Sequence, residues 1–158
     1  EAEEVMIAGL LHDLGKVILS HVAPDHFAAT VQLAHSERVH ISEMEREIFG
    51  ADHTRVASWV GDTWHLPAGL RDVLTYHHRP MRAKHNRKET AIVHVADILA
   101  RGMGYGEPGD PVMPPLDHDA WMGLGLSYQS IDRILAEAEQ DFVAGVDLYA
   151  QSEATGGP

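Results

Sequence analysis

Four groups of side chains in this sequence could do metal chemistry: His12-Asp13, Asp52-His53, His77-His78, and His94 with Asp97. A His-Asp pair inside the apolar segment that starts at Val5 calls for a partner, because burying an uncompensated polar or charged group costs several kcal/mol. On a helix, Lys16 shares a face with His12, four residues before it, and Asp13, three before it. An imidazole and a carboxylate at adjacent positions can converge on one cation. A lysine beside them could hold an anionic oxygen or protonate a leaving group. Gly15 lowers helix propensity by roughly 1 kcal/mol relative to alanine, and its missing side chain would let another backbone or a ligand come close.

The elements that must position these residues read as helices throughout. Helical spacing of Val5, Met6, Leu10, Leu11, Leu14, Val17 and Ile18 predicts one helix from Glu3 to about Ser20. Pro24 fits the first turn of a second helix running to about Ser36, with Phe27, Val31 and Leu33 inward. Ser42 to Glu45 has the form of a capping box that opens a short helix ended by Gly50. Asp52 can cap a helix through Val56, Ala57 and Val60, which puts His53 in its first turn. Leu66-Pro67 starts another helix that closes at His77-His78 before Pro80. Residues 81–88 read as an exposed basic loop. Residues 89–101 read as helix and carry Asp97 one turn after His94. The glycines and prolines of residues 102–119 predict a long mobile loop. Ser127 caps a last helix. No internal repeat and no alternating strand is visible, so the predicted fold class is all-α, a multi-helix bundle. Helix ends meeting at one point can supply ligands to a shared site.

Composition narrows the classes. At 158 residues one domain is expected, assigned to 1–150 with a frayed tail at 151–158. A net charge of −12 opposes sequence-general nucleic-acid binding and an anionic membrane surface. No apolar run approaches the roughly 18 residues of a membrane span. With no cysteine, disulfides and thiolate metal sites are excluded, which fits a reducing cytoplasm. The chain opens Glu1-Ala2-Glu3-Glu4, without a signal-peptide n-region, and enters a helical pattern at once, as a fragment of a longer protein would.

A ligand set of imidazole and carboxylate without sulfur suits iron, manganese, nickel, cobalt or zinc in an open site, as one or two ions. Each residue also has a plainer role. His12-Asp13 could be a local hydrogen-bonded pair and His77-His78 a helix C-terminal cap. His53 could be a surface residue, and His94 could lie on an exposed face. His21, His26, His35, His40, His65, His85 and His118 lack partners at ligand spacing. Trp59, Trp64 and Trp121 read as core or interface.

The order His12-Asp13, His53, His77-His78, Asp97 resembles the HD superfamily of metal-dependent phosphohydrolases. Within it, residues 9–16 (Gly-Leu-Leu-His-Asp-Leu-Gly-Lys) resemble the opening of the HDOD domain, the HD-related output domain. So do Glu47 to His53, Trp64 to Pro67, His77 to Pro80 and Val95 to Ala100, a resemblance over about residues 2–148. It implies an all-α bundle of HD type, working in bacterial signalling proteins beside regulatory domains as an output or interaction module. It implies His12, Asp13, His53, His77, His78 and Asp97 as metal ligands. The alternative is a metal-dependent phosphohydrolase acting on a nucleotide or cyclic dinucleotide, with Lys16 steadying phosphoryl charge. Against it, HD-GYP enzymes follow the His doublet with Glu and a Gly-Tyr-Pro motif, where this chain has Arg79-Pro80. HD enzymes also take a first ligand from a helix that would precede Glu1. A third reading is a structural bundle whose histidines only make hydrogen bonds. Arg79, Arg82, Lys84, Arg87 and Lys88 either flank a site or form a solvated loop.

Overall fold

The first apolar segment folds as two helices, where its spacing predicts one. In a computed structural model that describes residues 2–155, α1 covers Ala2–Leu11 and α2 covers Leu14–Val22. The chain turns at His12 and Asp13, and Asp13 sits at the N-cap of α2 with φ −95° and ψ 18°. Tertiary packing overrides the helical pattern here. Gly15, in the first turn of α2, lies so close to a neighbouring helix that a Cβ on it would stand 1.9 Å from the carbonyl oxygen of His53. Counted through the break, Ala2–Val22 is long and apolar enough to cross a membrane by length and composition, with a mean hydropathy of 1.4. The expectation that no run approaches that length missed this, because it counted uninterrupted apolar residues.

Helix α3 (Pro24–Glu37) begins with Pro24 in its first turn and ends at Arg38 in the left-handed region. Its buried positions are Thr30 and Ala34, while Leu33, expected inward, is exposed. Helix α4 (Ile41–Phe49) ends as predicted at Gly50, φ 72°. Its start differs. The cap is the His40 side chain, which accepts from the Ser42 backbone N–H, and Glu45 is buried and turned elsewhere, so the capping box does not form. Helix α5 (His53–Thr63) is capped by Asp52, which accepts from the Arg55 N–H. Helix α6 (Ala68–Tyr76) ends at His77.

The stretch expected as an exposed basic loop is short and fastened. A 3-10 turn spans Pro80–Arg82, Ala83 is buried, and helix α7 (Arg87–Gly102) follows. Buried Asp72 holds the connection: one carboxylate oxygen accepts the backbone N–H groups of Lys84, His85 and Asn86.

The glycine- and proline-rich segment after α7 is irregular up to helix α8 (His118–Leu124), a helix the sequence does not predict, since residues 102–119 read as loop and the next helix is expected only from Ser127. Asp117 caps α8 by accepting from the Ala120 N–H. The segment is tied down by Lys16 to the Pro108 carbonyl, by Asp110 to the Ile41 N–H, and by Arg101 to Val112 and Asp110.

Helix α2 packs on α5, α5 on α6 and α3 on α4, and α7 packs on α6 and α8. One apolar cluster joins Ala8, Val73 and Val93, with Val5 and Leu70 against it, and so ties α1, α6 and α7 together. A second joins Leu19, Ala51 and Val56, with Ile18, Phe27 and Phe49. No strand forms among the described residues, so the all-α bundle stands. Trp59 and Trp64 are exposed, which places them outside the core.

The chain divides into two compact units, Glu1–Leu124 and Gly125–Pro158. The second unit contains helix α9 (Tyr128–Thr155), capped by Ser127 as predicted. This helix extends into the stretch 151–158 read as a frayed tail, and residues 156–158 lie outside the described residues.

Candidate metal centre

The break after Leu11 sets the first two candidate ligands. His12 Nδ1 lies 2.6 Å from the Gly9 carbonyl, a local bond that fixes the ring and leaves Nε2 facing away from α1. Asp13 makes no side-chain cap to its own helix, so its carboxylate is free to reach other elements. Asp13 Oδ2 is 2.8 Å from Lys16 Nζ and 3.5 Å from His12 Nε2. Asp13 Oδ1 is 3.4 Å from His53 Nε2 and 3.7 Å from His77 Nε2. Burial, the largest single influence, would raise the Asp13 pKa, but the Lys16 ammonium together with His53, His12 and His77 outweighs it and holds the carboxyl well below its usual range.

His53 enters from the start of α5 and is fully buried. Glu45, equally buried, reaches it from α4: one oxygen accepts the His53 backbone N–H at 2.8 Å and lies 2.6 Å from Nδ1. Because that oxygen accepts, Nδ1 carries the ring proton and Nε2 presents a lone pair. Spacing along α4 gave Glu45 to a capping box, so sequence reasoning missed this role. The signal available was an acidic residue eight positions before a candidate histidine ligand.

His77 and His78 close α6. His77 Nδ1 bonds the Val73 carbonyl at 3.2 Å, and its buried Nε2 has no hydrogen-bond partner. His78 Nε2 lies 3.1 Å from His53 Nε2. The two doublet rings stand 4.1 Å apart, and His12 meets His77 edge-on at 5.0 Å. Burial, then the neighbouring His53, depresses the His77 pKa well below the ordinary imidazole value. Burial, then His77 and His53, does the same to His78. Both rings are therefore neutral at pH 7, the protonation state a metal ligand needs.

Of the six predicted ligands, five gather: His12, Asp13, His53, His77 and His78. Two groups have donor atoms within 4.8 Å of one another, His53-His77-His78 and His12-Asp13-His77, sharing His77. Asp97 stands at the margin: its Oδ1 is 3.8 Å from His12 Nε2 and 3.4 Å from Arg101 Nε, so the arginine is its closer partner. Lys16 is engaged by Asp13 and by the Pro108 carbonyl at 3.1 Å, which makes it the charge partner of Asp13. His94 is buried, contrary to an exposed face. Its Nδ1 is 2.7 Å from the His77 carbonyl and its Nε2 accepts the Asp117 N–H at 2.9 Å. With both nitrogens engaged, His94 braces the doublet and is no ligand. His40, set aside in the sequence, meets His78 edge-on at 4.9 Å. Its Nε2 is buried without a hydrogen-bond partner.

A metal ion fits these residues on the structure's own terms. Asp13 Oδ1, Glu45 Oε1 and His77 Nε2 are buried polar atoms without hydrogen-bond partners, and two of the three belong to the cluster itself. The donors are nitrogen and oxygen only, as intermediate divalent ions accept.

The HDOD domain family matches residues 1–80, which contain His12, Asp13, His53, His77 and His78. The chain belongs to the HDOD family. A solved structure of an HDOD domain protein with unknown function, from Geobacter sulfurreducens, resembles it with a TM-score of 0.72 and 25% identity. The likeness covers 89% of this chain and 50% of that one, so this HDOD chain spans about half the length of its solved relative. No curated protein matches it significantly.

Proposed function

We propose that this HDOD domain is a signalling output module that holds a divalent transition metal in its histidine-aspartate cluster. The observation that carries the reading is the convergence of His12, Asp13, His53, His77 and His78. They come from the α1–α2 break, the start of α5 and the end of α6, and two of their buried donor atoms, Asp13 Oδ1 and His77 Nε2, have no hydrogen-bond partner. His53, His77 and His78 would hold one ion, and His12 and Asp13 would bear on a second, with Asp97 beside His12; the single lone pair of His77 Nε2 can serve only one of them. A bound ion supplies Lewis acidity and cross-links helix ends. Around it, Glu45 keeps His53 in the Nδ1–H tautomer, His94 braces His77 through its carbonyl, and Lys16 neutralises Asp13.

Family membership supports the output role: a regulatory partner domain would respond to the state of helix ends that the metal joins. The setting we propose is the bacterial cytoplasm, with signalling domains as partners. The phosphohydrolase alternative draws on the same cluster, but Lys16 is engaged by Asp13 and Pro108 and not aimed at open space.

Mass spectrometry of untagged protein, purified without chelator or nickel resin, tests the metal. Near-stoichiometric iron, manganese or zinc is expected, lost in the Asp13→Ala/His53→Ala double variant. Folded protein that is metal-free and takes up none on titration refutes the proposal. Incubation of the metal-loaded protein with cyclic dinucleotides should give no turnover, and turnover abolished by the double variant would replace the output reading with the hydrolase.

A further inference from the structure

A cleft of about 550 Å³ lies beside the cluster and opens onto it through His78. It is walled by Arg46, Arg55, Arg79 and Arg82, which come from α4, from the first turn of α5 and from the segment after the His doublet. Lys84, Arg87 and Lys88 of the basic run do not line it. The four guanidinium groups face two carboxylates in the same lining, Glu43 and Asp52, so the cleft carries net positive charge in a chain of net charge −12.

The arginines differ in what already holds them. Arg46 is paired with Asp52 at 2.9 Å, and Arg55 lies over the Trp59 ring at 5.3 Å. Among the described residues, no hydrogen bond or ion pair engages the side chain of Arg79 or Arg82. The first turns of α4 and α5 also face the cleft, through Ser42, Glu43, Thr54 and Arg55, and add the positive ends of two helix dipoles. Tyr76, Pro114 and Pro115 provide apolar wall.

We propose that this cleft binds a small phosphorylated ligand, its phosphate held by Arg79 and Arg82 and its organic part against Tyr76 and Pro115. Guanidinium forks match phosphate oxygens two at a time, which a point charge does not. The volume is that of a small-molecule site, too confined for an extended acidic protein surface. A ligand seated here would touch His78 and so report on the cluster. The inference does not require a metal, since the arginines alone supply the charge.

Calorimetric titration of metal-free protein, in chelator and at low ionic strength, with inorganic pyrophosphate tests it. Binding is expected, weakened at least about tenfold by Arg79→Ala/Arg82→Ala, since each loses a charge-assisted hydrogen bond. The Lys84→Ala/Lys88→Ala control removes equal charge outside the cleft and should bind within about twofold of the parent. Both pairs are exposed, so both variants should fold, which circular dichroism checks. Three results overturn the proposal: no binding, an equal loss in the control, or displacement of pyrophosphate by a poly-aspartate peptide at lower concentration, which would mark an acidic protein partner. None of the three bears on metal content, so the cleft and the metal centre fail separately.

Discussion

Gly15→Ala should separate backbone packing from helix propensity at the metal centre. The added Cβ would stand 1.9 Å from the His53 carbonyl oxygen, 2.6 Å from its carbon and 2.8 Å from its Cα, all backbone atoms. No side chain can swing aside, so α2 and α5 must part by more than about 1 Å to reach ordinary contact. Overpacking of this kind costs typically about 1–3 kcal/mol, and a backbone contact belongs at the upper end. Alanine's better propensity returns at most roughly 1 kcal/mol. A net loss of about 2 kcal/mol lowers the melting temperature by roughly 4–8 °C. Gly9→Ala is the matched control. Gly9 lies in α1 with nothing within 4 Å of its would-be Cβ, so that variant should melt up to a few degrees higher, at about 2–4 °C per kcal/mol. The same α2–α5 separation pulls His53 Nε2 from its 3.4 Å approach to Asp13 Oδ1, so metal uptake should fall in Gly15→Ala and persist in Gly9→Ala. Thermal melts of metal-free protein and metal titrations of both variants read the two effects. A Gly15→Ala protein as stable as the parent, with unchanged metal uptake, would refute the reasoning.

Glu45→Gln removes the carboxylate behind His53 and should weaken metal affinity about 10–100-fold with little change in metal-free stability, as competition with a chelating dye would show; unchanged affinity sinks the tautomer argument. Asp72→Ala frees the N–H groups of Lys84, His85 and Asn86, and should cost roughly 2–3 kcal/mol with faster amide exchange at those residues; a shift under about 1 °C in melting temperature would contradict it. Stability of the metal-free protein should depend on pH through His77 and His78. Both have folded pKa values below the unfolded value near 6.5, so below that pH the unfolded chain binds more protons and acid destabilises. The slope reaches at most about 1.4 kcal/mol per pH unit for each ring, reduced as protons relieve the repulsion of the −12 net charge. Asp13 acts in the opposite pH region, since its depressed carboxyl loses its contribution only below its unfolded value near 3.8. Urea unfolding at pH 7.5 and 5.5 reads this, and equal or greater stability at pH 5.5 would contradict it.

Much of this architecture is legible in local sequence because it depends on local chemistry. Pro24, Gly50, Asp52 and Ser127 mark helix ends by backbone geometry and side-chain caps, and all four act where their residue types predict. A shared site for His12, Asp13, His53, His77 and His78 is suggested by their residue types at helix ends and sharpened by the family resemblance, but spacing along one helix cannot say which helix ends meet. Two local signals misled. Ser42 to Glu45 fits a capping box, yet His40 takes the cap and Glu45 turns to His53, because a buried imidazole with a fixed tautomer competes for the carboxylate. The Val5–Ile18 stripe fits one helix, yet the close approach of His53 to Gly15 accompanies a break at His12–Asp13.

That break carries the functional consequence. Had the helix continued through residue 13, the carboxylate of Asp13 would have stayed beside its own turn. With Asp13 at the N-cap, Oδ2 reaches His12 and Lys16, while Oδ1 lies near both His53 and His77. Asp13 therefore sits against both candidate ligand groups, and His77 belongs to both. The two groups cannot be perturbed independently: a change at Asp13 alters the charge facing α5 and the end of α6 together. A metal held there would join α2, α5 and α6 at one point, and α5 and α6 also wall the arginine cleft through Thr54 and Tyr76. Coupling between cluster and cleft would then run through His78, the one residue placed in both.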